Sequence, residues 1–491
     1  MSDLKRRTAG TLKWNTIDRV STQVLYAVVG VILANILSKE EFGLVGALAI
    51  FQAFAIIFVD SGFGAALLRE KEPTQEDYST VFWFNLIVSV GVYALLYLCA
   101  PLIARLFDDN DALIPMSKVM FLTFVINGLA IVQTNRLMKR MEVKMIAVSN
   151  SVAIFVSGIA GVILAFRGYG AWAMVWYSVI MAAVKTLILW LTGGWWPSLT
   201  FSRESMRKVR RVGVSVFSSS LLNTISQNVY NFVIGVWYGL APLGVYTQAD
   251  KYSKMFTASI SQVLTASFVP LLSGVQDSVE AFRRYCRKTG RFAAFILLPA
   301  MLLLTVTAPN LFHALFADKW DDAIILFQIL CVRGIFVVLV SLYSNYLLSL
   351  GKARHLIVSE GVKDGLLFVA IFATVGWHTV PVLVWGLLGA TIITWLILLY
   401  VTAHGLPLSV GDLLRVNLPF LLPSAVMCCV AWLVGAVLSV WLPEGVSIHI
   451  NAMIILGVQS VAGLLTYIGI ARMMRLEELN EAIAYVSGKS L

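Results

Sequence analysis

Residues 245–273, VYTQADKYSKMFTASISQVLTASFVPLLS, combine the length and flanks of a membrane-crossing helix with three charges, Asp250, Lys251 and Lys254, inside its first half. Each such charge costs roughly 2.5–3.5 kcal/mol at the centre of a spanning helix, so it is expected to face a bundle interior or a watery cavity. At about 100° per residue, Thr247, Asp250, Lys251, Lys254, Thr257, Ser261 and Thr265 fall within an arc of roughly 120°. Ammonium groups and hydroxyls in one stripe suit a substrate or ion pathway. The plainer reading is structural: Asp250 and Lys254, spaced i to i+4, neutralise one another. That pairing does not involve Lys251.

Similar residues recur along the chain. On the first apolar segment, about Trp14 to Leu37, Asn15, Arg19, Thr22, Gln23, Tyr26 and Gly30 share a face with Asp18 beside them. Arg19 lies one to two turns inside the boundary, where it either faces a cavity or snorkels to headgroups. Asp60 opens DSGFGAALLREKEP, in which Gly62 and Gly64 allow close packing or a broken helix end and Arg69 is a candidate partner for Asp60. The seventh crossing, about Val212 to Tyr238, lines up Ser220, Asn223, Thr224, Gln227 and Asn231, a row suited to knitting helices or to meeting hydroxyl-rich ligands. Arg333, Glu360, Lys363 and Asp364 lie further on, the last three spaced to form their own ion-pair cluster. Asp18, Asp60, Asp250, Arg333, Lys363 and Asp364 are therefore candidates for ion coupling or for structural pairing. Asn127 and Lys185 are further polar positions within apolar runs.

Catalytic and metal chemistry find no support. The five cysteines, Cys99, Cys286, Cys331, Cys428 and Cys429, show no metal-ligand spacing, and four lie in apolar runs. His313, His355, His378, His404 and His449 are scattered, with no carboxylate cluster beside them. No cofactor is expected.

The elements that must hold these side chains are apolar helices. Of 491 residues, 59% are hydrophobic and 13% charged, which marks a polytopic membrane protein. About fourteen windows of roughly 20 apolar residues recur, and none alternates with the period of two expected of an outer-membrane barrel. The net charge of +10 reflects topology rather than nucleic-acid binding. Basic residues fall in alternate loops, roughly 26 on one side against about 5 on the other, which places both termini in the cytoplasm by the positive-inside rule. The first 13 residues lack a cleavable-signal pattern, so the first crossing is expected to act as the insertion signal.

The chain divides by these signals into an N-terminal lobe of six crossings (1–193), a cytoplasmic linker GGWWPSLTFSRESMRKVRR (194–211 with Gly193), a C-terminal lobe of six (212–403), two added crossings (404–471) and an amphipathic cytoplasmic tail (472–491). In that tail Leu476, Leu479, Ile483 and Val486 share a face suited to the membrane surface. A weak internal repeat appears when the chain is slid by about 200 residues, which lays KEEFGLV over LAPLGVY. Both copies cross in one direction, so two parallel six-helix repeats are expected, enclosing a central cavity and working by alternating access.

The segments LKWNTIDR, FGLVGA, DSGFGAALLRE, DYSTVFWFNL and GVYTQADKYSKM to FVPLLS, in this order and spacing, resemble the polysaccharide transporter family. Within it they are similar to the colanic-acid and teichuronic-acid exporter group of lipid-linked oligosaccharide flippases, in the multidrug/oligosaccharidyl-lipid/polysaccharide superfamily. The resemblance covers Met1 to about Ile470. It implies two six-helix lobes plus two helices in the bacterial inner membrane, moving an undecaprenyl-diphosphate-linked repeat unit to the periplasmic leaflet. Related lipid II flippases rely on cations in crossings one and eight, which match Arg19 and Lys251 here, Lys251 standing in an A-D-K-Y context. On this reading Arg19, Lys251 and Lys254 receive the diphosphate, while Asn223, Gln227, Asn231, Thr247 and Tyr26 meet sugars or line the cavity. Fixed cations replace the water that a diphosphate loses, and the polyprenyl tail stays in lipid. The implied partners are the lipid-linked oligosaccharide, membrane lipids, and glycan polymerase and assembly proteins, with the transporter acting as a monomer.

Two other readings stand beside this one. A cation-coupled drug antiporter of the same superfamily would use Asp18, Asp60 or Asp250, but the cations favour an anionic ligand. A membrane glycosyltransferase or repeat-unit polymerase would need a larger extramembrane region than connections of about 20 residues provide.

Overall fold

A computed structural model describes the backbone of residues 2–60, 62–274, 278–351, 353–405, 409–441 and 447–486. Side chains are described for these except 2–13, 65, 209, 211, 263, 266–271, 273, 353–357 and 482–486. Among the basic residues, Lys5, Arg6, Arg7, Lys13, Arg211, Lys352 and Arg354, and with them His355, Ile483 and Val486, therefore lie outside the described residues and side chains.

Among the described residues the secondary structure is helical throughout. The chain forms two compact units, residues 1–247 and 248–491. The first holds α1 (Ser2–Ile36), α2 (Lys39–Asp60), α3 (Phe63–Arg69), α4 (Gln75–Leu98), α5 (Ala100–Leu106), α6 (Leu113–Met120), α7 (Leu122–Lys139), α8 (Val143–Phe166), α9 (Trp172–Gly193), α10 (Arg203–Trp237) and the start of α11 (Leu240–Ser273). The second holds the rest of α11, then α12 (Val279–Phe316), α13 (Asp321–Ser349), α14 (Ala353–Thr374), α15 (Val380–Gly405), α16 (Val410–Arg415), α17 (Leu418–Trp441), α18 (Ile448–Met473) and α19 (Glu477–Val486).

Eleven helical segments among the described residues are long and apolar enough to cross a bilayer. Three further long helices, α10, α11 and α14, stand outside that set, and each includes side chains beyond the described residues. They carry the basic run and amide row of residues 203–231, the Asp250–Lys254 stripe, and Glu360, Lys363 and Asp364 respectively. The fourteen crossings expected from the sequence include these three, and eleven are counted among the described residues.

Within the first unit, α8 packs on α1 and α9, and α10 runs beside α2, α3 and α4. The second sequence crossing is interrupted after Asp60, where Gly62 takes a left-handed φ of 67° at the head of α3. A Cβ there would lie 2.4 Å from the Gly213 carbonyl oxygen of α10. Glycine is thus required both by the turn and by the approach of the two backbones. Lys139 of α7 donates to the Leu67 carbonyl at 3.2 Å and to that of Glu70, placing a cation on the C-terminal carbonyls of α3.

The two segments of the weak repeat meet one another. A Cβ on Gly43 would lie 1.9 Å from the Leu240 carbonyl oxygen, and a Cβ on Gly244 would lie 2.0 Å from that of Lys39. Lys39 and Gly43 become Leu240 and Gly244 when the chain is slid by 201 residues. The contact is therefore reciprocal, as at an isologous interface. Two copies of one motif approach backbone to backbone because neither has a side chain at the crossing point.

Residues 193–202 are strapped down by hydrogen bonds from α4 and α7. Gln133 donates to the Trp195 carbonyl at 2.8 Å, Arg136 to Gly193 at 2.9 Å, Gln75 to Trp196 at 2.8 Å and Trp83 to Ser198 at 2.8 Å. Trp195 joins Phe63, Leu67, Tyr78, Phe82 and Val132 in a buried cluster. From Arg203 onward the basic run is already the first turns of α10, capped by Ser202, whose hydroxyl accepts from the Ser205 amide.

In the second unit α12 packs on α13, α17 and α18, while α15 packs on α13 and α14. The tail departs from the expected membrane-surface helix. Leu476 and Leu479 are buried in protein, and α19 is fastened to α12 by a two-point pair of Glu478 with Arg291 and by Lys288–Glu481 at 2.8 Å. Arg287 of α12 meets Asp412 of α16 at 3.0 Å. Acidic residues in the tail match the basic face at the start of α12, and protein covers Leu476 and Leu479 of its apolar side.

Candidate functional site

In the first unit, Asp18 is held by its neighbours. Both carboxylate oxygens accept from Asn150 of α8 at 3.2 Å, and Thr22 donates to one at 3.3 Å. Ser21 and Ser151 meet at 3.1 Å beside them. The α1–α8 seam is thus a polar one, and Asp18 acts in it as an acceptor. Asn150 went unnoticed in the sequence because VSNS sits in an otherwise apolar run and its partner lies 132 residues away. Arg19, next to Asp18, points the other way: it is exposed and has no ion pair or hydrogen bond among the described residues. Tyr26 is 45% exposed, with its ring 6.3 Å from that of Tyr177.

Asp60 ends α2 over Gly64, near the Asn135 amide, and forms no ion pair with Arg69, contrary to the sequence expectation. The left-handed turn at Gly62 separates the two side chains along different helices. On α10, Asn223 and Gln227 are exposed and joined by a 3.1 Å hydrogen bond from the Gln227 amide. Elsewhere on α10, Phe217 packs on α2 with its ring 5.1 Å from that of Phe58, and Gly213 packs against Phe63 of α3. Asn231 is more enclosed, and its side-chain oxygen is buried without a hydrogen-bond partner among the described residues. Thr247 donates to the Gly244 carbonyl at 2.9 Å and packs over Gly46.

In the second unit, Lys254 pairs with Asp250 at 2.6 Å, with the carboxylate side chain 10% exposed and the ammonium side chain 50%. Lys251 is half-buried, its ammonium 5.5 Å from the ring centre of Tyr252. The stripe therefore contains an ion pair and a second ammonium beside it. Gln248 is buried one turn earlier, with both amide atoms lacking a hydrogen-bond partner among the described residues.

Arg333 of α13 is half-buried and donates to the Thr391 hydroxyl of α15 at 3.1 Å, with no carboxylate partner among the described residues. On α14 the expected three-residue cluster is only partly formed. Lys363 pairs with Glu360, while one Asp364 oxygen is buried without a hydrogen-bond partner among the described residues. Among the described residues no group of His, Cys, Asp or Glu could hold a metal ion.

These polar groups lie on long, mostly apolar helices. A family profile described as "Polysaccharide biosynthesis protein" matches residues 32–325. The chain belongs to that family. This polysaccharide biosynthesis protein is 23% identical over 431 residues to the teichuronic acid biosynthesis protein TuaB of Bacillus subtilis (strain 168), covering 87% of this chain and 88% of that one. It is 25% identical over 334 residues to the lipopolysaccharide biosynthesis protein WzxC of Escherichia coli (strain K12), covering 68% of each. Its fold is similar to that of the lipid II flippase MurJ in an inward closed conformation, with a TM-score of 0.73 at 13% identity, covering 94% of this chain and 99% of that one. The polysaccharide biosynthesis protein is thus a multi-pass, all-helical membrane protein of the same fold.

Proposed function

We propose that the protein carries a polyprenyl-diphosphate-linked oligosaccharide repeat unit from the cytoplasmic to the periplasmic leaflet of the inner membrane by alternating access. The observation that carries this reading is the placing of Lys251 and Lys254 on a long helix of a chain from a polysaccharide biosynthesis family. Named relatives act in teichuronic acid and lipopolysaccharide biosynthesis, whose building blocks are sugars. A diphosphate carries about two negative charges, and crossing hydrocarbon without compensating donors is prohibitive. Charge-assisted hydrogen bonds from fixed cations supply that compensation.

In this proposal Arg19, Lys251 and Lys254 receive the diphosphate. Asp250 compensates the charge of Lys254 in the empty protein, and the phosphate takes over part of that role when it binds. Asn223, Gln227, Asn231, Thr247 and Tyr26 meet sugars, the exposed amides of α10 being suited to hydroxyl-rich surfaces. Asp18 serves structure through Asn150, and the two six-helix lobes, 1–193 and 212–403, are the bodies that move. The protein works as a single chain and passes its cargo to glycan polymerase and assembly proteins. It is a transporter and performs no covalent chemistry.

The test is repeat-unit export in a deletion strain complemented with variants, read as accumulation of lipid-linked oligosaccharide on the cytoplasmic face. Lys251→Ala is expected to stop export while the protein remains in the membrane. Normal export by that variant would remove the diphosphate assignment.

A further inference from the structure

A small, partly enclosed cavity in the second unit lies between α11 and α13. Ser261, Leu264, Thr265 and Leu272 line it from α11, and Val338, Ser341, Leu342 and Asn345 from α13. Its spacings, i, i+3, i+4 and i+11 on one helix and i, i+3, i+4 and i+7 on the other, put each set on one helical face. The lining is neutral, so it offers nothing to a diphosphate. It has room for one small polar group rather than a whole sugar ring.

Its hydroxyls are unusual for membrane helices. Thr257, Ser259, Thr265 and Ser349 donate to carbonyls of their own helix four residues back, at 2.8–2.9 Å, as isolated hydroxyls in apolar surroundings normally do. The hydroxyls of Ser261 and Ser341 have no hydrogen-bond partner among the described residues, and both residues line the cavity. Asn345 reaches Thr265 only at 3.4 Å. Two hydroxyls and a loosely held amide, next to apolar walls from leucine and valine, match a group that has both C–H and O–H surfaces. Ser261 also belongs to the α11 stripe of Asp250 and Lys254. Seven residues separate Lys254 from Ser261, about 10 Å along a helix, which is within reach of a sugar joined directly to a diphosphate.

We propose that this cavity is a subsite for one hydroxyl-bearing substituent of the first sugar, with Ser341 and Asn345 as specificity-determining residues. The proposal rests on the export reading above. Ser261 and Ser341 exchange bonds with the substituent, Asn345 turns its amide toward it, and Leu264, Val338 and Leu342 pack on the adjoining carbons. The subsite selects among sugars while the cations retain any diphosphate lipid.

Purified full-length protein in nanodiscs tests this through binding of two probes, a polyprenyl diphosphate bearing glucose or N-acetylglucosamine and the same polyprenyl diphosphate without sugar. Ser341→Ala and Asn345→Ala are expected to weaken the sugar-bearing lipid roughly tenfold for each lost hydrogen bond and to leave the bare lipid unchanged. The near-isosteric Ser341→Cys serves as a second variant should packing suffer. Equal losses for both probes, or no loss for either, would overturn the subsite while leaving the export reading intact. A wild-type protein that binds neither probe would instead refute the export reading, and the subsite with it. Sodium-dependent binding of both probes that Ser341→Ala abolishes would make the cavity an ion site and also overturn the proposal.

Discussion

Replacing Gly43 with alanine tests the reciprocal contact between the two copies of the repeated motif. The added Cβ would stand 1.9 Å from the Leu240 carbonyl oxygen, whereas real Cβ contacts essentially never fall below 3.0 Å. The backbones must therefore part by about 1.1 Å, and neither opposing atom belongs to a flexible side chain. Overpacking of this kind costs about 1–3 kcal/mol, against which alanine recovers up to about 1 kcal/mol of helix propensity. A net loss of about 1–2 kcal/mol lowers the melting temperature of a unit this size by roughly 2–8 °C. The assay is the apparent Tm of the purified protein in detergent. Gly244→Ala should lower it by a similar amount, since its Cβ meets the Lys39 carbonyl oxygen at 2.0 Å. The double variant should lose less than the sum, because both methyl groups force open one contact. Gly91→Ala on α4 is the control, with nothing within 4 Å of its Cβ. An unchanged Tm for Gly43→Ala, or a loss matched by Gly91→Ala, would refute the backbone-to-backbone contact.

Gly62→Ala should be more damaging than Gly168→Ala in the same melting assay. Both glycines have positive φ, but only Gly62 faces a backbone oxygen, at 2.4 Å. Lys254→Ala leaves the enclosed Asp250 carboxylate without its partner, so the protein should be less stable than the Asp250→Asn/Lys254→Ala double variant; the opposite order in denaturation would show that the pair is not what holds Asp250. Glu478→Ala should release α19 from Arg291 at a cost of about 2 kcal/mol, between the exposed and buried limits for ion pairs. Limited proteolysis should then cut the tail faster than in the wild type, and equal rates would count against the docking.

The helices were legible in the sequence because a bilayer demands runs of apolar residues, and the polar stripe of α11 stood out against that background. The Asp250–Lys254 pair also followed from local spacing alone. What escaped were partners distant in sequence: Asn150 for Asp18, Thr391 for Arg333, and Glu478 for Arg291. A carboxylate's partner in a spanning helix can be any donor on any neighbouring helix, and one sequence carries no register between helices. The tail was misread for a related reason, since an amphipathic face suits lipid and protein equally until the basic side of α12 is placed against it. The glycine repeat was visible as letters, but its reciprocal packing needed three dimensions.

The strap of residues 193–202 bears on how this polypeptide can be divided. Because the strap is bound to α4 and α7, severing the main chain near Leu199 would leave its Gly193–Ser198 portion anchored to the fragment that carries those helices. Two separately expressed pieces, ending and starting there, would still meet through α10 against α2 and α3, so the covalent link is dispensable in a way that the loop's adhesion is not. Inserting a reporter at Leu199, which is 92% exposed, is accordingly better tolerated than inserting one at the buried Trp195.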